Sequence, residues 1–353
     1  MSLAALSSPL SALSRDRRLQ GLFCALVGAV AFSGKAIVAK LMYRHGADAF
    51  SVVGLRMAMA LPMFMLMAWW AARGRDVRAR RPLSRRQGWQ VVGLGLTGYY
   101  LASTLDFLGL QYISASLERA ILYLNPSLVL LLSVCFLGAR LRWGQVLAML
   151  ISYAGLMVVF LHDWDVAQLV SDAASTRDAR SAVAIGSGLV FLSALSYAIY
   201  LMGSGQMVQR LGAMRLVGLA SCAACLMCLV QWWGVHAASQ GRLGGLSHLP
   251  WQVWALSALN ATACTVLPVW LVMRGVQMLG ASVAAQVGMV GPLSTIWLAS
   301  WFLDEPVTAR LMLGTGTVLV GILVLSRMNV PVPPQVKTVV EPEPERQSDS
   351  DRI

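Results

Sequence analysis

Charged residues are scarce in this sequence. Lys, Arg, Asp and Glu make up 12% of the 353 residues against 57% hydrophobic ones, and the mean hydropathy is +0.65. That is too little charge to cover a soluble surface, so much of the exterior must face a lipid bilayer. A GxxxxGK[ST] motif is missing, which excludes direct ATP drive within this chain. Histidine is rare, and none of His45, His162, His236 and His248 is central to an apolar run. An intramembrane metal centre is therefore not expected, nor is any other cofactor. Loop cysteines are absent too: Cys24, Cys135, Cys222, Cys225, Cys228 and Cys264 all lie in apolar segments, where a disulfide framework would not form. Cys222, Cys225 and Cys228 make overlapping CxxC spacings, but redox or metal chemistry needs thiolates, which lipid disfavours, so they read as a small-residue helix stripe.

What is abundant is apolar runs of membrane-spanning length. A hydrocarbon core of ~30 Å needs ~20 residues per helix. The pattern predicts spans at 20–43, 48–72, 89–111, 115–137, 141–162, 183–207, 213–235, 251–273, 279–302 and 307–326. The first has no small-residue cleavage pattern and is read as uncleaved. The net charge of +12 sits in short loops, so it reports topology and not nucleic-acid binding. Arg73, Arg75, Arg78, Arg80, Arg81, Arg85 and Arg86 against Asp76 mark the first long loop as cytoplasmic. Both termini are then expected in the cytoplasm of an inner (plasma) membrane. The expected organisation is a cytoplasmic segment at 1–19, a first repeat at 20–162, an extracytoplasmic linker at 163–182, a second repeat at 183–326, and a Pro-rich, charged, disordered cytoplasmic tail at 327–353.

The repeat is carried by one register. ISASLERAILYLNP at 113–126 aligns with LGASVAAQVGMVGP at 279–292, an offset of 292 − 126 = 166 residues that places Ser116 on Ser282 and Pro126 on Pro292. Gly46 falls on Gly212, Gly109 on Gly275 and Gly155 on Gly321 at the same offset. Five spans per half is an odd number, so the second half enters the membrane in the opposite sense. The expected fold is all-α, ten transmembrane helices in two inverted-topology five-helix repeats, a design that puts a substrate site near the midplane between the halves.

These residues resemble the drug/metabolite transporter superfamily, with two tandem EamA-type domains. The resemblance rests on ISASLERAILYLNP with FLGARLRWGQ, and on LGASVAAQVGMVGP with FLDEPVTARL and GTGTVLVGILVLS, and it covers roughly residues 20 to 326. It implies a ten-helix carrier of small metabolites, commonly an exporter, with a central cavity lined by the first four helices of each half. One departure stands out: the acidic residue of the family's LGER-like turn is kept as Glu305 but replaced by Ala139 in the first half. At a membrane boundary, that change should affect capping more than transport.

Ionisable groups inside spans are expensive, ~2.5–3.5 kcal/mol each on insertion scales, and normally face a cavity or a partner. Here they are unevenly distributed: Lys35, Lys40, Arg56, Asp106, Glu118 and Arg119 in the first half correspond to Leu201, Gln206, Cys222, Val272, Ala284 and Ala285. The shared scaffold does not require them. Together they are expected to form a polar vestibule on the extracytoplasmic side. Lys40, Glu118 and Arg119 lie close enough to span ends to snorkel. Asp106 is either the partner of Lys35 or Arg56 or a proton- or cation-linked carboxylate; Lys35 either pairs with it or receives a substrate carboxylate. Asp106 should share a helix face with Tyr99 and Ser103, and Glu118 with Asn125, while Arg119 lies with Tyr123 about 100° round and cannot pair side by side with Glu118. Pro126 and Pro292 are either packing kinks or hinges. Tyr100, Tyr197, Tyr200, Asn260 and Gln286 could add contacts or serve as helix-packing hydrogen bonds.

The expected function is secondary active transport, outward, of an amino-acid-like or anionic small metabolite by alternating access, with proton coupling through Asp106 as a further hypothesis. The competing readings are an integral membrane enzyme, for which no nucleophile, paired acid and base or metal-spaced set is found, and a non-transporting receptor. The oligomeric state is left open.

Overall fold

The computed structural model describes residues 8–74, 82–138, 140–170, 176–240, 249–279, 287–288 and 290–327. In order these form α1 (Ser8–Arg44), α2 (Ala49–Arg73), α3 (Arg85–Gly95), a π-helical turn (Leu96–Leu101), α4 (Ala102–Leu110), α5 (Ala115–Leu122) and α6 (Asn125–Leu137). Then come α7 (Trp143–Val170), α8 (Thr176–Leu211), α9 (Ala213–Gln240), α10 (Trp251–Ala261), a second π-helical turn (Thr262–Val266), α11 (Leu267–Leu279), α12 (Val290–Leu303) and α13 (Ala309–Arg327). The described residues hold nine stretches long and apolar enough to cross a membrane, plus the shorter apolar α12. The predicted spans coincide with these within a few residues, except that the ninth was expected from 279 and residues 280–286 and 289 lie outside the described ones. Within the linker stretch, α7 continues to Val170 and α8 begins at Thr176; residues 171–175 and the tail beyond 327 lie outside the described residues.

Local chemistry sets the helix ends. Asp48 caps α2, its carboxylate accepting from Phe50 N at 3.1 Å and Ser51 N at 3.3 Å, and Ser84 and Gln87 form a capping box on α3. Gly46 and Gly212 close the repeat-equivalent turns at φ 84° and 77°, a left-handed conformation that a side chain would strain.

The two halves interlock. α1 packs on α10, α11 and α12 of the second half, and α8 packs on α4, α5 and α6 of the first; α2 packs on α9, and α7 on α13. Exchange of the halves maps the packing of α1 on α11 and α12 onto that of α8 on α4 and α6, and the α2–α9 and α7–α13 pairings onto themselves. The match extends to atoms. A Cβ added at Gly186 would lie 2.8 Å from both Tyr112 and Ile113, and one at Gly21, a position displaced by one from the register of Gly186, would lie 2.9 and 2.8 Å from their register partners Met278 and Leu279. Likewise Gly155 abuts the backbone of Gly314 and Val318, and Gly321 that of Ala148 and Ser152. Small residues let the helix backbones approach where lipid offers no hydrophobic drive for association. The π turns also recur at the 166-residue offset, Leu96 matching Thr262. Nothing in the hydrophobic pattern signalled them.

Candidate functional site

Three elements of the first half meet at a buried charge cluster. Lys35 of α1 donates to Asp106 of α4 at 2.5 Å, and its Nζ lies 3.6 Å from Glu118 of α5. Arg119 donates from Nη2 to the carbonyl of Phe32 at 3.0 Å, tying α5 to α1, and its Nε lies 3.7 Å from Glu118. This last contact corrects the expectation that Glu118 and Arg119 cannot pair side by side. The arginine stem is long enough to fold back across the 100° that separates their Cβ atoms.

Arg56 of α2 completes the cluster through an aromatic ring. Its guanidinium carbon stands 4.4 Å from the centroid of Phe107, and Lys35 Nζ is 5.3 Å from the same centroid. Phe107 is fully buried and its carbonyl accepts from Tyr43 at 2.7 Å. Sequence reasoning passed over Phe107, whose only signal was adjacency to Asp106.

Lys35, Arg56, Asp106, Glu118 and Arg119 are all buried, with Glu118 at 0% exposure. They form a closed cluster, not the open vestibule expected, because opposite charges draw together at the contacts between α1, α4 and α5. Lys40 stands apart at the rim of a cavity at one end of the bundle. Three cations face two carboxylates in the cluster, leaving one positive charge in excess. Arg56 Nε and Nη2, Arg119 Nε, Asp106 Oδ1 and both carboxylate oxygens of Glu118 are buried without a hydrogen-bond partner among the described residues, and so are both amide atoms of Asn260, the residue two before the second π turn. Orphaned polar groups of this kind are costly unless something fills them.

The remaining candidates divide. Tyr99 meets Tyr200 of α8, hydroxyl to hydroxyl at 3.2 Å with rings edge to face, and Tyr197 stacks on Tyr200. The expected stripe of Tyr99, Ser103 and Asp106 is therefore split between α8 and α1, because the π turn over Leu96–Leu101 breaks the 3.6-residue period. Ser103 is half-buried, and Tyr100 packs against the main core. The expected face shared by Glu118 and Asn125 is also lost, since the helix stops at Leu122 and restarts at Asn125. Asn125 donates from Nδ2 to Leu122 O at 2.6 Å across the break, and Tyr123 donates to Gly288 O at 2.5 Å in the second half. Pro126 sits in the first turn of α6, where its missing N–H leaves no gap. Pro292 is buried near the start of α12. Gln286 lies outside the described residues.

Two cavities among the described residues have linings that include none of the cluster's charged side chains. One, of about 430 Å³, lies between α3 and α8 and is lined by Arg86, Gln90, Thr97, Gly203 and Arg210. The other, of about 320 Å³, is lined by Lys40, Ser116, His162, Asp163 and Glu305. Among the described residues no group of three His, Cys, Asp or Glu side chains could hold a metal ion. Cys225 and Cys228 are free and buried, Cys225 lying 3.5 Å from the sulfur of Met57 at the packing of α9 on α2.

Comparison with known proteins agrees with this architecture. The model of the EamA-like transporter family matches residues 19–161 and 184–327, one match per half. The chain is 30% identical over 297 residues to the "Uncharacterized transporter YcbK" of Bacillus subtilis (strain 168), covering 83% of this chain and 88% of the other. A solved crystal structure matches with a TM-score of 0.54 at 15% identity, covering 87% of this chain and 97% of that one. At that identity the likeness speaks to fold alone.

Proposed function

The chain belongs to the EamA-like transporter family, and from that premise we propose that it is a secondary active exporter of a small amino-acid-like or anionic metabolite, working by alternating access in an inner (plasma) membrane. It is a multi-pass membrane protein, and the reading places both termini in the cytoplasm. The observation that carries the substrate class is the excess positive charge at Arg56, buried beside an aromatic ring with two unfilled donors. An anionic group on the substrate would take those donors, and the Asn260 amide would accept and donate to a second polar group. Lys35 is held by two carboxylates and is less free to serve.

Asp106 and Glu118 compete for Lys35, so arrival of one proton at either carboxylate would leave Lys35 to the other. That exchange is the proposed route of proton coupling. The break between α5 and α6 near Pro126, the start of α12 at Pro292 and the two π turns are the points at which helices would flex. As a carrier the protein makes and breaks no covalent bond.

The test is counterflow in proteoliposomes loaded with unlabelled amino acids or small organic acids, with labelled compound outside. Exchange of at least one anionic compound, lost in Arg56→Met, is the expected result. Exchange of cationic or neutral compounds only, unaffected by Arg56→Met, would overturn the substrate class.

A further inference from the structure

The N-terminus of α5 is held by carboxylates that come from elsewhere in the fold. Asp163 of α7 accepts from Ser114 N at 2.9 Å and from Ser114 Oγ at 3.0 Å. Glu305, just past α12 in the other half, accepts from Ala115 N at 3.0 Å and from Ser116 Oγ at 3.2 Å. Ser114 Oγ in turn accepts from Leu117 N at 3.0 Å. Orphan N–H groups and the positive end of the helix dipole both favour this arrangement. Glu305 is aimed by a tight turn in which Asp304 adopts φ 60°, and Arg44 of α1 donates to the carbonyl of Leu303 at the end of α12. Ser114 and Ser116 of this junction line the same cavity as Lys40, Asp163 and Glu305. Glu118 and Arg119 lie a single turn further along α5.

In sequence, the corresponding positions of the other half carry no such set. At the 166-residue offset Glu305 corresponds to Ala139, Asp163 to Asn329 and Ser114 to Gly280, while Ala115 and Ser116 correspond to Ala281 and Ser282. The receiving positions are kept and both carboxylates are gone.

We propose that Glu305 and Asp163 are positioning residues forming a one-sided latch. Glu305 closes the route to the charge cluster from its own end by pinning α5 to the opposite half, Asp163 braces the same helix end from within the first half, and the sequence at the Ala139 end keeps neither carboxylate. The resting protein is therefore biased toward access from the Ala139 end, and each opening at the Glu305 end breaks charge-assisted hydrogen bonds between the halves. With the orientation proposed above, the protein waits open to the cytoplasm. The inference rests on the alternating-access reading, but its test needs no substrate.

Cys264 supplies the readout. It lies on the second π turn, buried, with its sulfur 3.1 Å from where a Cβ at Gly34 would stand, one residue from Lys35. In a variant that keeps Cys264 and replaces the other five cysteines, labelling by an impermeant maleimide is measured from each face of oriented vesicles. Glu305→Ala should raise labelling from the Glu305 face at least about tenfold and lower it from the other, the loss of charged hydrogen bonds being of that size. Glu305→Gln, which retains an acceptor, should fall between. Asp163→Asn should shift labelling the same way without touching α12, which covers a folding failure of the Glu305 variants. Ala139→Glu, restoring the acid at the other end, should also raise labelling from the Glu305 face. Unchanged labelling in Glu305→Ala and Asp163→Asn, or an equal rise from both faces, overturns the latch. A one-sided shift with no exchange of any compound would retain the latch and remove the carrier reading; exchange with no shift would do the reverse.

Discussion

Lys35 and Asp106 meet at 2.5 Å in the interior of the bundle, 71 residues apart in sequence, with Glu118 3.6 Å from the same ammonium. One cation thus serves two buried carboxylates. Lys35→Met should lower stability by about 3–5 kcal/mol, because it strands buried charge. The double variant Lys35→Met/Asp106→Asn should recover much of that loss. Thermal unfolding in detergent checks both.

The proposed proton coupling has a driving proton enter at Asp106. Asp106→Asn should abolish the response of flux to an imposed pH gradient while leaving counterflow measurable. Unaltered pH-driven flux in that variant would sink proton coupling through this carboxylate.

Arg56 differs from Lys35 in having no carboxylate within ion-pair distance among the described residues, its contact being with Phe107. Arg56→Met should therefore fold nearly normally yet weaken binding of an anionic substrate by about 10- to 100-fold, the loss of one or two charge-assisted hydrogen bonds. Arg56→Lys should not rescue it fully, since a point charge cannot reproduce the planar fork. Binding titrations with the wild-type substrate distinguish these outcomes.

The packing of α7 on α13 gives a prediction independent of transport. A side chain at Gly155 or Gly321 meets backbone atoms of the facing helix at 2.6–2.7 Å. Gly321→Val should destabilise by about 1–3 kcal/mol through overpacking. Gly88→Ala, with nothing within 4 Å of the added carbon, should be neutral or slightly stabilising. Melting temperatures of the two variants side by side provide the check.

How much of this could be read from the sequence follows from what carries the signal. Span positions, the two halves and the glycines at the turns were legible because apolar length, and small residues recurring at a fixed offset, are one-dimensional properties. The pairing of Lys35 with Asp106 was legible as one of two alternatives, since a charge in a span must find a partner. What could not be read were the departures from 3.6-residue periodicity. The π turn before Asp106 and the break before Asn125 each depend on packing against the other half, and each reassigned a neighbouring residue: Tyr99 to Tyr200, Asn125 to Leu122. Glu305 was expected to matter for capping. It does cap a helix, but that helix belongs to the other half, and a contact across 190 residues leaves no local pattern.

The interlocking of the halves has a consequence for biosynthesis. α1 leaves the ribosome before the other described helices, yet its packing partners α10, α11 and α12 follow it by more than 200 residues. The Ser33 hydroxyl, 2.9 Å from the Gly291 carbonyl, waits for a residue 258 positions downstream. During translation the first half can pair Lys35 with Asp106, but one flank of α1 stays bare until nearly the whole chain has been inserted. Nascent chains truncated before Trp251 should therefore remain with the insertion machinery or be degraded, and the second half supplied as a separate polypeptide should rescue them.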